Sequence, residues 1–302
     1  MLLVFGSINL DLSFDCARLP AAGETVLAKG CLMSPGGKGA NQAHAAQRYG
    51  VPTRLVGAVG TDAFAAPALQ GLRDSGVDLS LLCRHEGATG LASIAVDAQG
   101  ENQIVVASGA NLALHHGAVS HAALRECKAL LLQMETDAAQ NLALVERAQA
   151  CGVPVLLNNA PAQKLPAALL RQLAVLIVNE TELRLTARAA GLAGDDLPRM
   201  LSALADGHGL TVLVTLGRLG VMARAAGHTL HLPAMAVPIR DTTGAGDTFA
   251  GVFGAAWVEA HPLHECLRRA SVAAALACTR AGAQQAQPTR AQIELALPGY
   301  AA

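Results

Sequence analysis

Aromatic residues are scarce in this sequence, with one tryptophan, two tyrosines and five phenylalanines among 302 residues. Charge is also scarce. Charged residues make up 15% of the chain, and 22 lysines and arginines stand against 23 aspartates and glutamates. A formal net charge of −1 leaves no electrostatic footprint for nucleic acid or an anionic membrane surface. No apolar stretch approaches the roughly 20 residues a spanning helix needs; Ala129–Gln133 and Val272–Thr279 are of strand length or bounded by arginine. Met1–Phe5 is too short, and lacks the basic start, for a secretory signal. The seven cysteines (Cys16, Cys31, Cys83, Cys127, Cys151, Cys266 and Cys278) are odd in number and form no C-x-x-C pair. Neither a disulfide framework nor a zinc site is indicated, and reduced thiols in a cytoplasm are expected. H-E-x-x-H and G-x-S-x-G are absent, and His115–His116 has no spaced third ligand and reads as a surface pair.

What is present is a hydrophobic fraction of 52% with thirty glycines, the composition of a chain that folds around a core. Short β-rich apolar runs alternate with alanine- and leucine-rich helical stretches, the pattern of a mainly parallel sheet covered by helices. The strands expected are Leu2–Gly6, Thr53–Val59, Ala129–Gln133, Val153–Asn158, Ala174–Val178 and Thr211–Thr215. Helical patterns cover Ala40–Tyr49, Ala63–Ser75, Ala138–Ala150, Pro198–Gly207, Gly246–Ala260, Pro262–Arg280 and Thr289–Leu297. Two segments break the rhythm. Leu12–Pro35 has no helical period, and Gly90–Ala107 reads as a hairpin of Leu91–Val96 and Asn102–Ala107. A small β-sheet lid from about 12–35 and 90–107, on a single domain spanning 1–302, accounts for both.

The sharpest motif is Asp241-Thr-Thr-Gly-Ala-Gly-Asp247-Thr248-Phe249, running into a helical stretch. Gly244 and Gly246 let the backbone bend and approach a ligand closely. A helix start at that bend would favour phosphate or a developing anion. Asp247 beside an anion site is unfavourable for binding alone, but it suits a general base near a transferring phosphoryl group. The alternative is that Asp247 merely caps the helix.

Pro35-Gly-Gly-Lys38-Gly-Ala-Asn41-Gln42 also opens a helix, without the spacing of a P-loop or a dinucleotide fingerprint. Lys38, one of four lysines, and Asn41 could present donors to sugar hydroxyls there; the alternative is a simple turn. Asn9 and Asp11, in Gly6-Ser-Ile-Asn-Leu-Asp after the first strand, share one face of an extended segment. An amide and a carboxylate so paired suit vicinal hydroxyls. In Asn179-Glu-Thr-Glu182, Asn179 and Glu182 could hold a hydrated Mg²⁺ through water, or form an ordinary helix cap. Thr215-Leu-Gly217-Arg-Leu-Gly220 comes after a strand and could also be a glycine hairpin.

Taken in order, these pieces resemble the ribokinase-like carbohydrate kinases, the phosphofructokinase-B family, over nearly the whole chain. Further matching pieces are Pro20-x-x-Gly23-Glu24-Thr25, Gly57-Ala-Val59-Gly60-Thr-Asp62-Ala-Phe64, Gly100-Glu101-Asn102 with Gly109-Ala110-Asn111, and Thr279-Arg280-x-Gly282-Ala283-Gln284. The Gly-Gly-Lys-Gly-Ala-Asn-Gln and Gly-Ala-Gln forms are those of the ribose-phosphorylating branch.

The resemblance implies a three-layer α/β fold with a β lid, and transfer of the γ-phosphoryl group of ATP to the 5-hydroxyl of D-ribose. Asn9, Asp11, Gly37, Lys38, Asn41 and Glu135 would line the sugar site. Asn179, the segment Thr215, Leu216, Gly217, Arg218, Leu219 and Gly220, and also Gly246 and Ser271 would contact ATP. Asp247 would be the base, and Gly244, Ala245 and Gly246 the anion hole. Asp241, Thr243, Ala277, Arg280, Gly282 and Ala286 would match a K⁺ site made largely of carbonyl oxygens, and members of the family commonly dimerise through their lids. The chain departs from the family's usual residues at Ala65, Asn159, Ser271 and Ala286.

Other readings stay open. A nucleoside acceptor would need flat surfaces, and only Phe14 falls in the expected lid near Asn9 and Asp11. Fructose, a deoxy-sugar, and a non-catalytic sugar-binding regulator are further alternatives.

Overall fold

The computed structural model describes residues 1–192 and 194–300. In chain order the strands are β1 (Leu2–Phe5), β2 (Asn9–Cys16), β3 (Ala28–Gly36), β4 (Thr53–Val56), β5 (Ala58–Val59), β6 (Cys83–Arg84), β7 (Gly90–Val96), β8 (Asn102–Ala107), β9 (Ala129–Leu132), β10 (Val155–Asn158), β11 (Val175–Asn179), β12 (Thr211–Thr215), β13 (Val221–Ala225) and β14 (His228–Leu232).

β1 reads LLVF and all of it is buried, which places it inside a sheet covered on both faces. The main sheet has the order β14-β13-β12-β11-β10-β9-β1-β4. Neighbours from β4 to β12 are parallel, and β13 and β14 extend the edge antiparallel. Because side chains alternate along a strand, the core divides in two. Leu2, Val4, Leu131 and Leu156 join helices Lys38–Tyr49, Ala245–Val258 and Leu263–Ala277 on one face. Leu3, Phe5, Leu130 and Leu157 join Ala138–Ala150, Glu180–Ala189 and Leu197–His208 on the other. Each fully buried Leu or Phe contributes about 1.5–3 kcal/mol, so this two-faced core outweighs local propensity in holding the three layers together.

Two expected elements are divided. Thr53–Val59 breaks at Gly57, and β5 turns away to pair with β6; a Cβ at Gly57 would stand 2.6 Å from the Ile8 side chain. The helix expected over Ala63–Ser75 is two short ones, Ala65–Ala68 and Gln70–Ser75. Pro67 withholds an N–H in the first, and Gly71 weakens the second. β13 and β14 were not expected, because VMARA and HTLHL carry their apolar positions among arginine and histidine.

The second sheet, in the order β3-β2-β7-β8, grows directly from the main one, since β2 begins just after β1 ends. Its strands come from the segments Leu12–Pro35 and Gly90–Ala107 together with Asn9–Asp11. Directly paired residues share a face. The rows Asn9/Gly36/Gly90, Asp11/Ser34/Ala92/Val106 and Ser13/Leu32/Ile94/Ile104 therefore form one side of this sheet. Phe14, paired with Cys31 and Ala95, lies on the other side.

Candidate active site

Gly6, Gln133, Asn158, Asn179 and Thr215 follow or end β1, β9, β10, β11 and β12. They form a polar rim at the carboxyl edge of the parallel sheet, where open α/β sheets bind ligands. Helices Lys38–Tyr49 and Ala245–Val258 both start at this rim. Each begins on a glycine with positive φ (Gly37 at 90° and Gly244 at 71°), and neither has a side-chain cap.

The two helix starts are used differently. At the first, the Lys38 N–H donates to Glu135 Oε2 at 3.0 Å and the Gly39 N–H to Ser7 Oγ at 3.3 Å. The Ala40 N–H donates to the Ser7 carbonyl at 2.9 Å. The backbone donors of this end are taken up within the protein, while Lys38 itself lines a cavity. Gly39 is required by the close approach, since a Cβ would sit 2.5 Å from the Gly6 carbonyl carbon. At the second start, the Ala245 N–H is committed to the Thr242 carbonyl at 3.2 Å. Of the three N–H groups expected in the anion hole, those of Gly244 and Gly246 have no acceptor among the described residues. An uncapped helix start of this kind favours an anion.

Asp247 lies in that first turn but is not a cap. Its Oδ2 accepts the Asn41 side-chain amide at 3.0 Å and its Oδ1 that of Gln42 at 3.0 Å. The carboxylate is therefore buried, 8% exposed, with each oxygen held by a side chain of the facing helix.

Asp11, Lys38 and Glu135 lie within electrostatic reach of one another and of Asp247. Ser7 Oγ donates to Glu135 Oε2 at 2.6 Å, and Asn9 Oδ1 accepts the Asn111 amide at 2.8 Å. Burial pushes the Asp11 carboxyl up to about 6, the negative charges of Glu135 and Asp247 add to this, and Lys38 opposes it. Asp247 raises the Lys38 ammonium above its ordinary value against the effect of burial, with Glu135, Glu182 and Asp11 adding to the rise. Four carboxylates thus share one cation, an arrangement suited to polyhydroxyl recognition.

Two cavities meet at Gly246. One, of about 150 Å³, is lined by Lys38, Asn158, Asn179, Glu182, Thr215 and Asp247 among others. The second, of about 500 Å³, is a largely apolar slot bounded by Gly217, Arg218, Gly220, Val237, Phe249 and Ser271. Of the residues expected at the nucleotide, Leu216 is buried and Leu219 is exposed, and neither lines either of these two cavities. The turn after β12 is the glycine turn into β13, and Thr215, Gly217, Arg218 and Gly220 in it line the larger slot.

Asn179 and Glu182 form a reciprocal capping box, each side chain accepting the other's backbone N–H at 2.8 Å. This engages Glu182 Oε2 and leaves Oε1 available to the cavity. Burial raises the Glu182 carboxyl, its bond to the Asn179 N–H and the charge of Lys38 lower it, and Asp247 adds to the rise.

Asp241 joins the loop before the second helix to the segment after Leu263–Ala277. Its oxygens accept the Thr243 N–H at 2.9 Å and the Gly282 N–H at 2.8 Å. Burial would raise this carboxyl, but those bonds hold it below the usual carboxylate value. Ala277 and Ala286 are buried and Arg280 is exposed, so the last could offer only its backbone here. Asn159 is buried, donating to the Thr186 hydroxyl at 2.9 Å and accepting the Gln163 N–H at 3.0 Å.

Sequence reasoning assigned no role to Gln42, Gln133, Asn158, Asn111 or Ser7. The available signal was a polar residue at the end of an otherwise apolar strand, as in ALLLQ and VLLN.

The pattern defining the pfkB family of carbohydrate kinases matches residues 1–290. A ribokinase of Haemophilus influenzae is 35% identical over 292 residues, covering 96% of this chain and 95% of the relative. Ribokinase from Thermotoga maritima superposes with a TM-score of 0.91 at 31% identity, covering 98% and 99% of the two chains. The Arabidopsis thaliana ribokinase solved with ribose and ATP gives 0.88 at 34% identity, covering 98% of each. Fold, motif order and full-length identity agree, and the chain belongs to the pfkB family of carbohydrate kinases.

Proposed function

We propose that this protein transfers the γ-phosphoryl group of ATP to the 5-hydroxyl of D-ribose, giving ribose 5-phosphate and ADP. The observation that carries the reading is Asp247: a buried carboxylate in the first turn of an uncapped helix, lining the smaller cavity beside Gly246, where the two cavities meet. The full-length ribokinase relatives favour ribose as acceptor. So does the orientation of Phe14, which faces away from Asn9 and Asp11 and offers no stacking surface for a nucleobase.

In this reading Asn9, Asp11, Lys38, Asn41 and Glu135 hold the sugar, with Gly37 giving its backbone room. The apolar slot takes the adenosine, flanked by Thr215, Gly217, Arg218, Gly220 and Ser271, and the phosphates run past Asn179 and Gly246. Asp247 accepts the proton of the 5-hydroxyl as that oxygen bonds to the γ-phosphorus, and the bond to the ADP oxygen breaks. The N–H groups of Gly244 and Gly246 stabilise the charge on the transferring group. The chemistry needs position and field more than covalent help.

Two ions belong to the proposal. Mg²⁺, when bound, neutralises phosphate charge; Asn179 and Glu182, which line the smaller cavity, would hold it through water. K⁺ would be held by Asp241, Thr243, Ala277, Arg280, Gly282 and Ala286. One carboxylate with backbone carbonyls is a donor set of low charge, suited to a monovalent ion. The second sheet acts as the lid, and its exposed apolar side favours a homodimer in a cytoplasmic setting.

A coupled ADP-release assay over ribose, deoxyribose, fructose and adenosine tests the reading. Ribose is expected to give the highest kcat/KM, and Asp247→Asn to lose several orders of magnitude in kcat while still binding ATP. A deoxyribose preference would replace the acceptor; full activity in D247N would remove the base.

A further inference from the structure

The Asp247 carboxylate is the end point of two chains of side-chain amides. In one, Gln133 Nε2 donates to Gln42 Oε1 at 2.7 Å, and Gln42 Nε2 donates to Asp247 Oδ1 at 3.0 Å. In the other, Gln284 Nε2 donates to Asn41 Oδ1 at 3.1 Å, and Asn41 Nδ2 donates to Asp247 Oδ2 at 3.0 Å. All four of these bonds run donor to acceptor in the direction of the carboxylate.

The direction is over-determined at Gln42. An ionised carboxylate only accepts, so the NH₂ end of Gln42 must face it. The second hydrogen of that NH₂ goes to Asn158 Oδ1 at 3.0 Å. Asn158 is itself oriented, because its Nδ2 donates to the Ile177 carbonyl at 3.1 Å. Gln42 Oε1 then has to accept, and Gln133 supplies the donor. Gln42 is left with no unmet valence. The cost falls on Gln133, whose buried Oε1 has no partner among the described residues and lies against Gly6, where a Cβ would be 1.9 Å away. Gln42 and Gln133 are both fully buried, and burying an amide is unfavourable unless its bonds are made. A structure that orphans one oxygen to aim Gln42 is using Gln42 for something.

We propose that Gln42 is a positioning residue for phosphoryl transfer: it fixes the plane of the Asp247 carboxylate, and Gln133 keeps the Gln42 amide from flipping. This rests on the reading of Asp247 as the base. With Asn41 on Oδ2, Gln42 confines the carboxylate to one orientation before the acceptor hydroxyl arrives. A flipped Gln42 would set carbonyl oxygen against carboxylate oxygen.

Gln42→Met keeps the volume and removes the donors. Its expected signature is a kcat lower by about 10- to 100-fold, the usual cost of a misplaced catalytic group. KM for ribose and for ATP should stay within about threefold, since neither ligand touches Gln42. Loss of donors to a carboxylate raises its pKa, so the acid limb of the kcat/KM profile should move to higher pH. Gln133→Met removes one orphaned oxygen and leaves Gln42 Oε1 without its donor, exchanging one unmet buried acceptor for another, so it is expected to fold. It should show a smaller kcat loss and a limb moved the same way. Folding of each variant is checked by circular dichroism, and Asp247→Asn is run alongside. If D247N turns over normally, the base reading itself fails. If D247N is inactive while a folded Q42M keeps wild-type kcat and an unmoved limb, the positioning role is overturned. Should Q42M not fold, the same result in Q133M overturns it.

Discussion

Asp241 Oδ2 accepts the Gly282 N–H at 2.8 Å, bridging two segments 41 residues apart. One of them leads into the helix start that carries Asp247, and the other contains Gln284 of the amide chain. Asp241→Asn replaces an acceptor by a donor at this bridge. Activity in K⁺ is expected to fall toward the level measured in choline chloride, with little change in KM for ribose. A charge-assisted bond of this partly exposed kind contributes about 1–2 kcal/mol. Because the folded carboxyl lies below its ordinary value of 3.8, that stability is present above the unfolded pKa and is lost as pH falls through the folded one. Melting curves of wild type and D241N should therefore differ at pH 7 and converge at strongly acid pH. A gap that persists there would mean Asp241 acts by shape alone.

Asp11 predicts a pH dependence of opposite sign. Its folded pKa is raised from 3.8 to about 6, so its protonated form is favoured in the folded chain. Its contribution to stability is full below the unfolded pKa and is lost as pH rises through about 6. Relative to Asp11→Asn, the ligand-free wild type should lose at most about 3 kcal/mol between pH 4 and pH 7. Sugar binding should run the other way, since the ionised form accepts hydroxyl protons: KM for ribose rises as pH falls below about 6. A flat KM between pH 5 and pH 8 would mean that Asp11 does not contact the sugar.

Two glycines of the same rim should fail in different ways. At Gly39 a Cβ would meet the Gly6 carbonyl carbon at 2.5 Å and the Ser7 nitrogen at 2.6 Å, and backbone cannot rotate away. Gly39→Ala is expected to cost about 2–4 kcal/mol in denaturant titration. At Gly246 a Cβ would meet nothing within 4 Å. Gly246→Ala should melt like wild type yet lose kcat, because the methyl occupies the junction of the two cavities. Equal stability losses in both variants would show that the space at Gly246 is not kept for a ligand.

Much of this was legible in the sequence, for identifiable reasons. Strands such as LLVF and ALLL carry no polar position, so their burial on both faces follows from composition. The glycines of the rim are where the backbone must pass within bonding distance of another segment, and that need shows as Gly37, Gly39 and Gly244. The amide chains were not legible. Gln42, Gln133 and Asn158 have no local spacing in common, and only the tertiary approach of helix Lys38–Tyr49 to β9 and β10 makes them neighbours. The two sequence readings of Asn179 and Glu182 were not exclusive either, since the capping box spends one Glu182 oxygen and leaves the other.

The apolar side of the lid sheet provides the last prediction. Leu32, Ile104 and Val106 are 66%, 54% and 48% exposed and lie on the face that carries Asn9 and Asp11. Val105, 71% exposed, alternates to the other face. A contiguous apolar patch in water favours association, and this one adjoins the sugar residues. If two copies cover it by pairing their lids, Ile104→Lys should convert a dimer to a monomer in sedimentation velocity. It should also raise KM for ribose more than KM for ATP, since the slot proposed for ATP lies beyond Gly246. Val105→Lys adds the same charge one residue away but on the opposite face, and should change neither. A wild type that is monomeric at micromolar concentration, or an I104K protein that remains dimeric, would mean that this face closes over the sugar within one chain.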